Sequence, residues 1–228
     1  MPITTCVFDA YGTLFDVAAA AREAAAEPAF AAIAETWPEL AEHWRLKQLQ
    51  YSWLRAVTGA HDDFWQVTQE GLDWSLEKMG VADDPALRER LLALYWELQA
   101  FAEVPAMLHA LKDGGLNTAI LSNGSPAMLD GAVQSAGISD LLGVSLSVES
   151  VGVFKPHASV YDLVGQHYGC AKNEVLFVSS NGWDAAAATG YGFTTAWVNR
   201  GGDPVDRLPW KPAHQLRELS GLPALAGL

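Results

Sequence analysis

The chain has 228 residues, half of them hydrophobic, and a formal net charge of −13. That length fits one core domain plus an insertion, with enough apolar residues for a sizeable packed core. The acidic balance argues against a nucleic-acid or anionic-membrane surface, and nine Trp argue against disorder.

No run of about 18 consecutive apolar residues is present, so no membrane span is expected. No basic stretch followed by an apolar run opens the chain, so no secretory signal is expected. Two thiols far apart, Cys6 and Cys170, make no disulfide framework. They fit a reducing cytoplasm and the role of small buried hydrophobes.

Residues 3–8 form a short β-rich run that ends at Asp9-Ala10-Tyr11-Gly12-Thr13, where Gly12 punctuates a loop. Over residues 17–99 no convincing strand appears. Leu40, Trp44, Gln48, Tyr51 and Arg55 recur at helical spacing, as do Phe64, Val67, Gly71 and Trp74. Pro38, Gly59, Gly80 and Pro85 divide this stretch into about four helices. Trp37, Trp53, Trp65 and Trp74 add apolar surface there, facing either the core or a partner.

From Pro105 the pattern alternates. A helix is predicted over 106–113, a strand over 118–121, and a helix from Pro126. A strand over 144–148, a helix over 156–168 and a strand over 174–178 follow. Residues 179–184 read as a loop, then a helix to about 190, a strand over 195–198, and a tail with one short helix. Strand and helix in alternation predict an α/β fold with a parallel sheet, whose ligands bind beyond the carboxyl ends of the strands.

Four polar clusters sit just after predicted strands: Asp9 with Thr13, Ser122 with Asn123, Lys155 with Tyr161, and Ser179-Ser180-Asn181 with Asp184. A single Ser or Asn after a strand ordinarily caps the next helix. Four clusters brought to one sheet edge, with two acids and a lysine among them, predict an active site. The six histidines have no metal-ligand spacing.

The motifs Val7-Phe8-Asp9-Ala10-Tyr11-Gly12-Thr13-Leu14-Phe15, Trp44-Arg45-Leu46-Lys47-Gln48-Leu49, Leu121-Ser122-Asn123-Gly124, Val153-Phe154-Lys155-Pro156 and Phe177-Val178-Ser179-Ser180-Asn181-Gly182-Trp183-Asp184 resemble the haloacid dehalogenase superfamily. The likeness is greatest to its L-2-haloacid dehalogenase (type II) branch and covers nearly the whole chain. It implies a Rossmann-like parallel-sheet core over 1–16 and 100–228, with a four-helix cap inserted after the first strand over 17–99.

The resemblance assigns catalytic roles to Asp9 as nucleophile, to Lys155 and Thr13 holding it, and to Asp184 activating water with Ser179 and Asn181. Arg45 and Asn123 would hold the halide. Ser122 and main-chain N–H groups near Ala10 and Tyr11 would take the substrate carboxylate. Tyr11, Leu49, Phe64 and Trp183 would wall the pocket. Tyr161, placed one helical turn after Lys155, and Ser180 would complete its surroundings. Plainer readings stand beside these: a solvated Arg45, core packing for the wall residues, and a buried Tyr161 hydroxyl satisfying a neighbour.

The superfamily's phosphatases carry a second Asp two residues after the nucleophile and an extra acid in the last loop. Here Tyr11 and Ser180 stand in those places. Tyrosine, with an ordinary pKa of ~10, is a poor general acid, and losing a carboxylate weakens any Mg²⁺ site. The implied activity is therefore metal- and cofactor-independent hydrolysis of short L-2-haloalkanoic acids to D-2-hydroxy acids, with inversion, through an aspartyl ester. A Mg²⁺-dependent phosphatase and a silent binding protein on the same fold are the alternatives. The only partner implied is the small 2-haloacid, with no nucleic acid and no membrane; the family resemblance also implies a homodimer, and the two separate thiols a cytoplasmic setting.

Overall fold

The computed structural model describes residues 2–228. Six parallel strands form one sheet in the order β3-β2-β1-β4-β5-β6. They are β1 (Thr5–Phe8), β2 (Asn117–Ser122), β3 (Val144–Ser147), β4 (Val175–Ser179), β5 (Thr194–Val198) and β6 (His214–Leu216). The strands β1 and β4 are buried throughout, as continuous apolar runs between helical layers should be.

After β1 the chain leaves the sheet for four α-helices: α1 (Ala19–Ala26), α2 (Trp37–Thr58), α3 (Phe64–Met79) and α4 (Pro85–Trp96), with a 3₁₀ segment at Pro28–Ile33. Asp63 caps α3 by accepting from Trp65 N at 2.6 Å, and Asp84 caps α4 through Leu87 N at 3.0 Å. Gly59 and Gly80 end α2 and α3 in the left-handed conformation, φ 68° and 71°. The helical stripe of α2 buries Leu40, Trp44 and Gln48, while Tyr51 and Arg55 are half-buried. The four tryptophans Trp37, Trp53, Trp65 and Trp74 are also half-buried.

The sheet is then completed with α5 (Val104–Asp113), α6 (Pro126–Ser135), α7 (Ala158–Tyr168), α8 (Gly182–Tyr191) and the short α9 (Leu222–Leu225) between and after its strands. Because β1 lies between β2 and β4, the chain order reverses beside it. The crevice beyond the carboxyl end of β1 is therefore the expected ligand site.

Three details differ from the sequence reading. Lys155 precedes α7 in an irregular segment and Tyr161 lies inside the helix, so the two are not one helical turn apart. The helix α8 begins at Gly182, which puts Asp184 in its first turn rather than in a loop. The tail contributes β6, paired with β5 from Ala196↔His214 to Val198↔Leu216, besides its short helix. With three residues and one β-branched-free sequence, His-Gln-Leu, this edge strand is held by its neighbour rather than by its own propensity.

Candidate active site

Asp9 is the first residue past β1, and its N–H donates to Val178 O at 2.9 Å, so the sheet itself fixes its backbone. The chain then turns tightly: Thr13, Leu14 and Phe15 all donate to Ala10 O at 2.9–3.2 Å. Gly12 makes the turn possible with φ +84°, and a Cβ there would stand 3.0 Å from Ser180 Oγ.

The turn aims Thr13 back at the carboxylate. Asp9 Oδ2 accepts from Thr13 Oγ1 at 3.2 Å, Ser179 Oγ at 3.3 Å and Asn181 Nδ2 at 2.8 Å. Asp9 Oδ1 has one contact, Lys155 Nζ at 3.2 Å. Lys155 Nζ also meets Asp184 Oδ2 at 2.9 Å, and Tyr161 donates to Asp184 Oδ1 at 2.7 Å. The ammonium thus sits between the two acids, 1% exposed. Burial draws the Lys155 pKa down, but the charges of Asp184 and Asp9 and their hydrogen bonds outweigh it and leave it above its ordinary value. Burial raises the Asp184 carboxyl above its ordinary value, with Lys155 opposing and Asp9 adding.

Above these groups stands Arg45 of α2. Its Nη2 reaches Tyr11 O at 3.3 Å and Asn181 Oδ1 at 3.4 Å. Asn181 therefore touches both Asp9 and Arg45. Asn123 Oδ1 accepts from Lys155 N at 2.9 Å, and Ser122 Oγ from Gly124 N at 3.1 Å. A small cavity is lined by Asp9, Tyr11, Arg45, Leu49, Phe64, Ser122, Asn123, Lys155, Asn181 and Trp183; it holds ≈ 10 Å³ of free space, about one water.

The sheet edge and the helical insert thus bring together most of the residues singled out in the sequence. Asp184 and Tyr161 sit behind Lys155, and Ser179 and Thr13 behind Asp9. Ala10 and Ser180 lie in the supporting turns and do not line the cavity. Burial pushes the Tyr11 hydroxyl well above the ordinary tyrosine pKa, with Tyr95 and Asp9 adding and Arg45 opposing. Its hydroxyl and the Trp183 indole N–H are buried without a partner.

The donor set does not suit a divalent cation. Among the described residues no three His, Cys, Asp or Glu side chains converge. The two acids that do approach one another already share the Lys155 ammonium. Mg²⁺ prefers six oxygen ligands in octahedral array.

The sequence profile of the haloacid dehalogenase-like hydrolases matches residues 3–192. The chain belongs to that family. It is 42% identical over 224 residues to (S)-2-haloacid dehalogenase 1 of Pseudomonas sp. (strain CBS-3), covering 98% of this chain and 96% of that protein. It is 39% identical to (S)-2-haloacid dehalogenase 4A of Burkholderia cepacia, covering 98% and 95%. The crystal structure of the L-2-haloacid dehalogenase from Xanthobacter autotrophicus with chloropropionic acid covalently bound superimposes with a TM-score of 0.86 at 35% identity, covering 99% of this chain and 98% of that one.

Several supporting residues of this family member had no role assigned from the sequence. Arg200, after β5, donates to Thr13 O at 3.2 Å and pairs with Glu103 at 2.7 Å, bracing the turn after Asp9 from behind. Trp197 Nε1 donates to Ser180 O at 3.0 Å. Inside the insert, Gln48 Nε2 donates to Tyr95 and Thr68 at 3.0 and 2.9 Å, and the Tyr95 ring stacks on Tyr11 at 5.4 Å. Gln48 did carry a signal: it is a polar residue between Trp44 and Tyr51 on the stripe of α2.

Proposed function

We propose that this chain is an (S)-2-haloacid dehalogenase, converting short L-2-haloalkanoic acids to D-2-hydroxy acids. One observation carries the reading. The Asp9 carboxylate faces a narrow pocket whose one phenolic hydroxyl, that of Tyr11, has its proton held more tightly than usual. A leaving group there must depart as a stable anion, and halide does so without a proton.

Asp9 Oδ1, held by Lys155 alone, keeps lone pairs free and is the oxygen that attacks. Its lone pair forms the C–O bond in line as the carbon–halogen bond breaks, inverting the carbon and releasing halide. The halide leaves toward Arg45 and Asn123, whose donors stabilise the developing charge. Ser122 and the main chain near Ala10 and Tyr11 take the substrate carboxylate. The otherwise unpartnered Tyr11 and Trp183 donors also fit a pocket built for an anion.

In the second step a water gives a proton to Asp184 and attacks Cγ of Asp9. Oδ2, with donors Thr13, Ser179 and Asn181, carries the negative charge of the tetrahedral species. Its collapse breaks the Cγ–Oδ1 bond, so Oδ1 leaves on the substrate carbon as the hydroxyl of the hydroxy acid and takes the proton from Asp184. The water oxygen stays in the Asp9 carboxyl, which gives up its remaining proton to solvent to balance the released halide. The raised pKa of Asp184 makes it a stronger base than an ordinary carboxylate. No metal enters either step, and the donor set offers a Mg²⁺-dependent phosphatase no support.

The insert over 17–99 acts as the cap, and the core over 1–16 and 100–228 as the catalytic body. We place the enzyme in the cytoplasm as a homodimer. Exposed Leu54 and Val57 on α2 offer an apolar face for a second copy, which light scattering after gel filtration tests.

The decisive experiment is halide release from L- and D-2-chloropropionate in EDTA, for the parent and Asp9→Asn. Release from the L-isomer by the parent alone is expected. No halide from either isomer overturns the function, and halide from both overturns the stereochemistry.

A further inference from the structure

Away from the two connecting segments, side-chain hydrogen bonds join the helical insert to the core at two residues among those described. One is Arg45. The other is His61, whose Nε2 meets Glu149 Oε2 at 3.1 Å. His61 lies in the loop between α2 and α3, three residues before the pocket-wall residue Phe64. Glu149 lies just beyond β3, in the core.

The His61 ring also packs on Phe154, centroids 4.6 Å apart, and Phe154 packs on Phe64 at 6.1 Å. Phe154 directly precedes Lys155, whose N–H is held by Asn123. The contact therefore touches the pocket from both sides: Phe64 above and the Lys155 segment below. Its own loop is anchored to the insert, because Arg55 donates to Ala60 O at 3.2 Å and Asp63 caps α3. A pull on His61 is thus a pull on the insert.

The pairing is half complete. His61 Nδ1 and Glu149 Oε1 are both buried without partners. Closing the seam makes one hydrogen bond and dries two polar atoms that gain nothing; opening it wets all four. Such a contact holds weakly and releases readily. A pocket with room for about one water must open to admit a haloacid and close to exclude solvent, and a weak fastening suits that cycle.

We propose that His61 and Glu149 are positioning residues that form a second clasp, beside Arg45, holding the insert over the pocket and setting how well the substrate is retained. The proposal rests on the dehalogenase reading for its kinetic test, but not for its structural one.

The test compares His61→Ala, His61→Gln, Glu149→Ala and the double alanine variant with the parent. With L-2-chloropropionate, each single alanine variant is expected to raise KM about fivefold, the equivalent of ~1 kcal/mol, with kcat held or raised. The double variant should be no worse than either single, and His61→Gln, which keeps an N–H, should recover most of the loss. In hydrogen exchange without substrate, peptides over 59–64 and 148–154 should exchange faster in the alanine variants while α1 does not change. Additive KM effects, a loss in kcat alone, or unchanged exchange at both peptides overturns the clasp. If the parent releases no halide, the dehalogenase reading fails and the exchange measurement alone decides the clasp.

Discussion

Replacing Lys155 with Met separates the charge role of this side chain from its bulk. The ammonium is 1% exposed and meets Asp9 at 3.2 Å and Asp184 at 2.9 Å, and its Nζ stands 5.0 Å from the centre of the Phe177 ring. Methionine keeps most of the volume and removes the charge. Asp184 is fully buried and Asp9 nearly so, leaving two buried carboxylates without the cation that paired them. Removing one partner of a buried ion pair costs about 3–5 kcal/mol, a large share of the roughly 5–15 kcal/mol that hold a domain together. Asp184 is already raised by burial against the opposing pull of Lys155, so without that pull it rises further.

A carboxyl whose folded pKa exceeds its unfolded value stabilises the fold in acid and loses that contribution as pH rises through the folded pKa. The variant should therefore regain stability between neutral and mildly acidic pH. Adding Asp184→Asn should restore part of the loss at neutral pH, since a neutral amide replaces one stranded charge, while halide release stays absent. Urea unfolding at both pH values measures all of this. A variant with the parent's midpoint at neutral pH, or one that only weakens in acid, would refute the ion-triad argument.

Two further substitutions probe the surroundings. Tyr161→Phe removes the 2.7 Å hydrogen bond that lowers the Asp184 pKa, so that pKa rises and the acid limb of the kcat profile should move to higher pH; an unmoved limb would exclude Asp184 as the base. Gly124→Ala puts a Cβ 2.8 Å from Tyr11 Cε2 and 3.1 Å from Leu129 Cδ2. It should cost about 1–3 kcal/mol of stability and raise KM by displacing the Tyr11 wall, and an unchanged KM in a folded variant would show that the ring position is not critical.

The sheet and the convergence at its edge were readable because parallel strands are written as short apolar runs, each followed by its polar cluster. Asp9 stands directly past β1, and Ser122 and Ser179 are the last residues of β2 and β4, whereas Lys155 lies farther along, in the irregular segment before α7. What stayed hidden has no local pattern. Arg200 acts through the main-chain carbonyl of Thr13, and a carbonyl leaves no mark in a sequence. The strand β6 exists only because β5 offers it an edge. Asp184 looked like a loop residue because Asn181-Gly182 resembles a turn, whereas the pair opens α8. His61 and Glu149 stand 88 positions apart, and neither flanking segment hints at the other.

The central place of β1 has a consequence for how the protein comes to be made. Thr5 pairs with both Asn117 and Val175, so the strand that carries the nucleophile has no neighbour until β2 has been made and lacks its second until β4 follows. Of the groups that hold the Asp9 carboxylate, Thr13 is four residues away, whereas Lys155, Ser179 and Asn181 are 146, 170 and 172 away. During synthesis the helices α1–α4 can begin to pack from local contacts, but β1 must wait. Until the ribosome has passed Lys155, Asp9 is an apolar strand's charged end without a counter-charge. A nascent chain stalled between α4 and β2 should therefore show helix and no active site, and its exposed β1 should be the segment that chaperones bind.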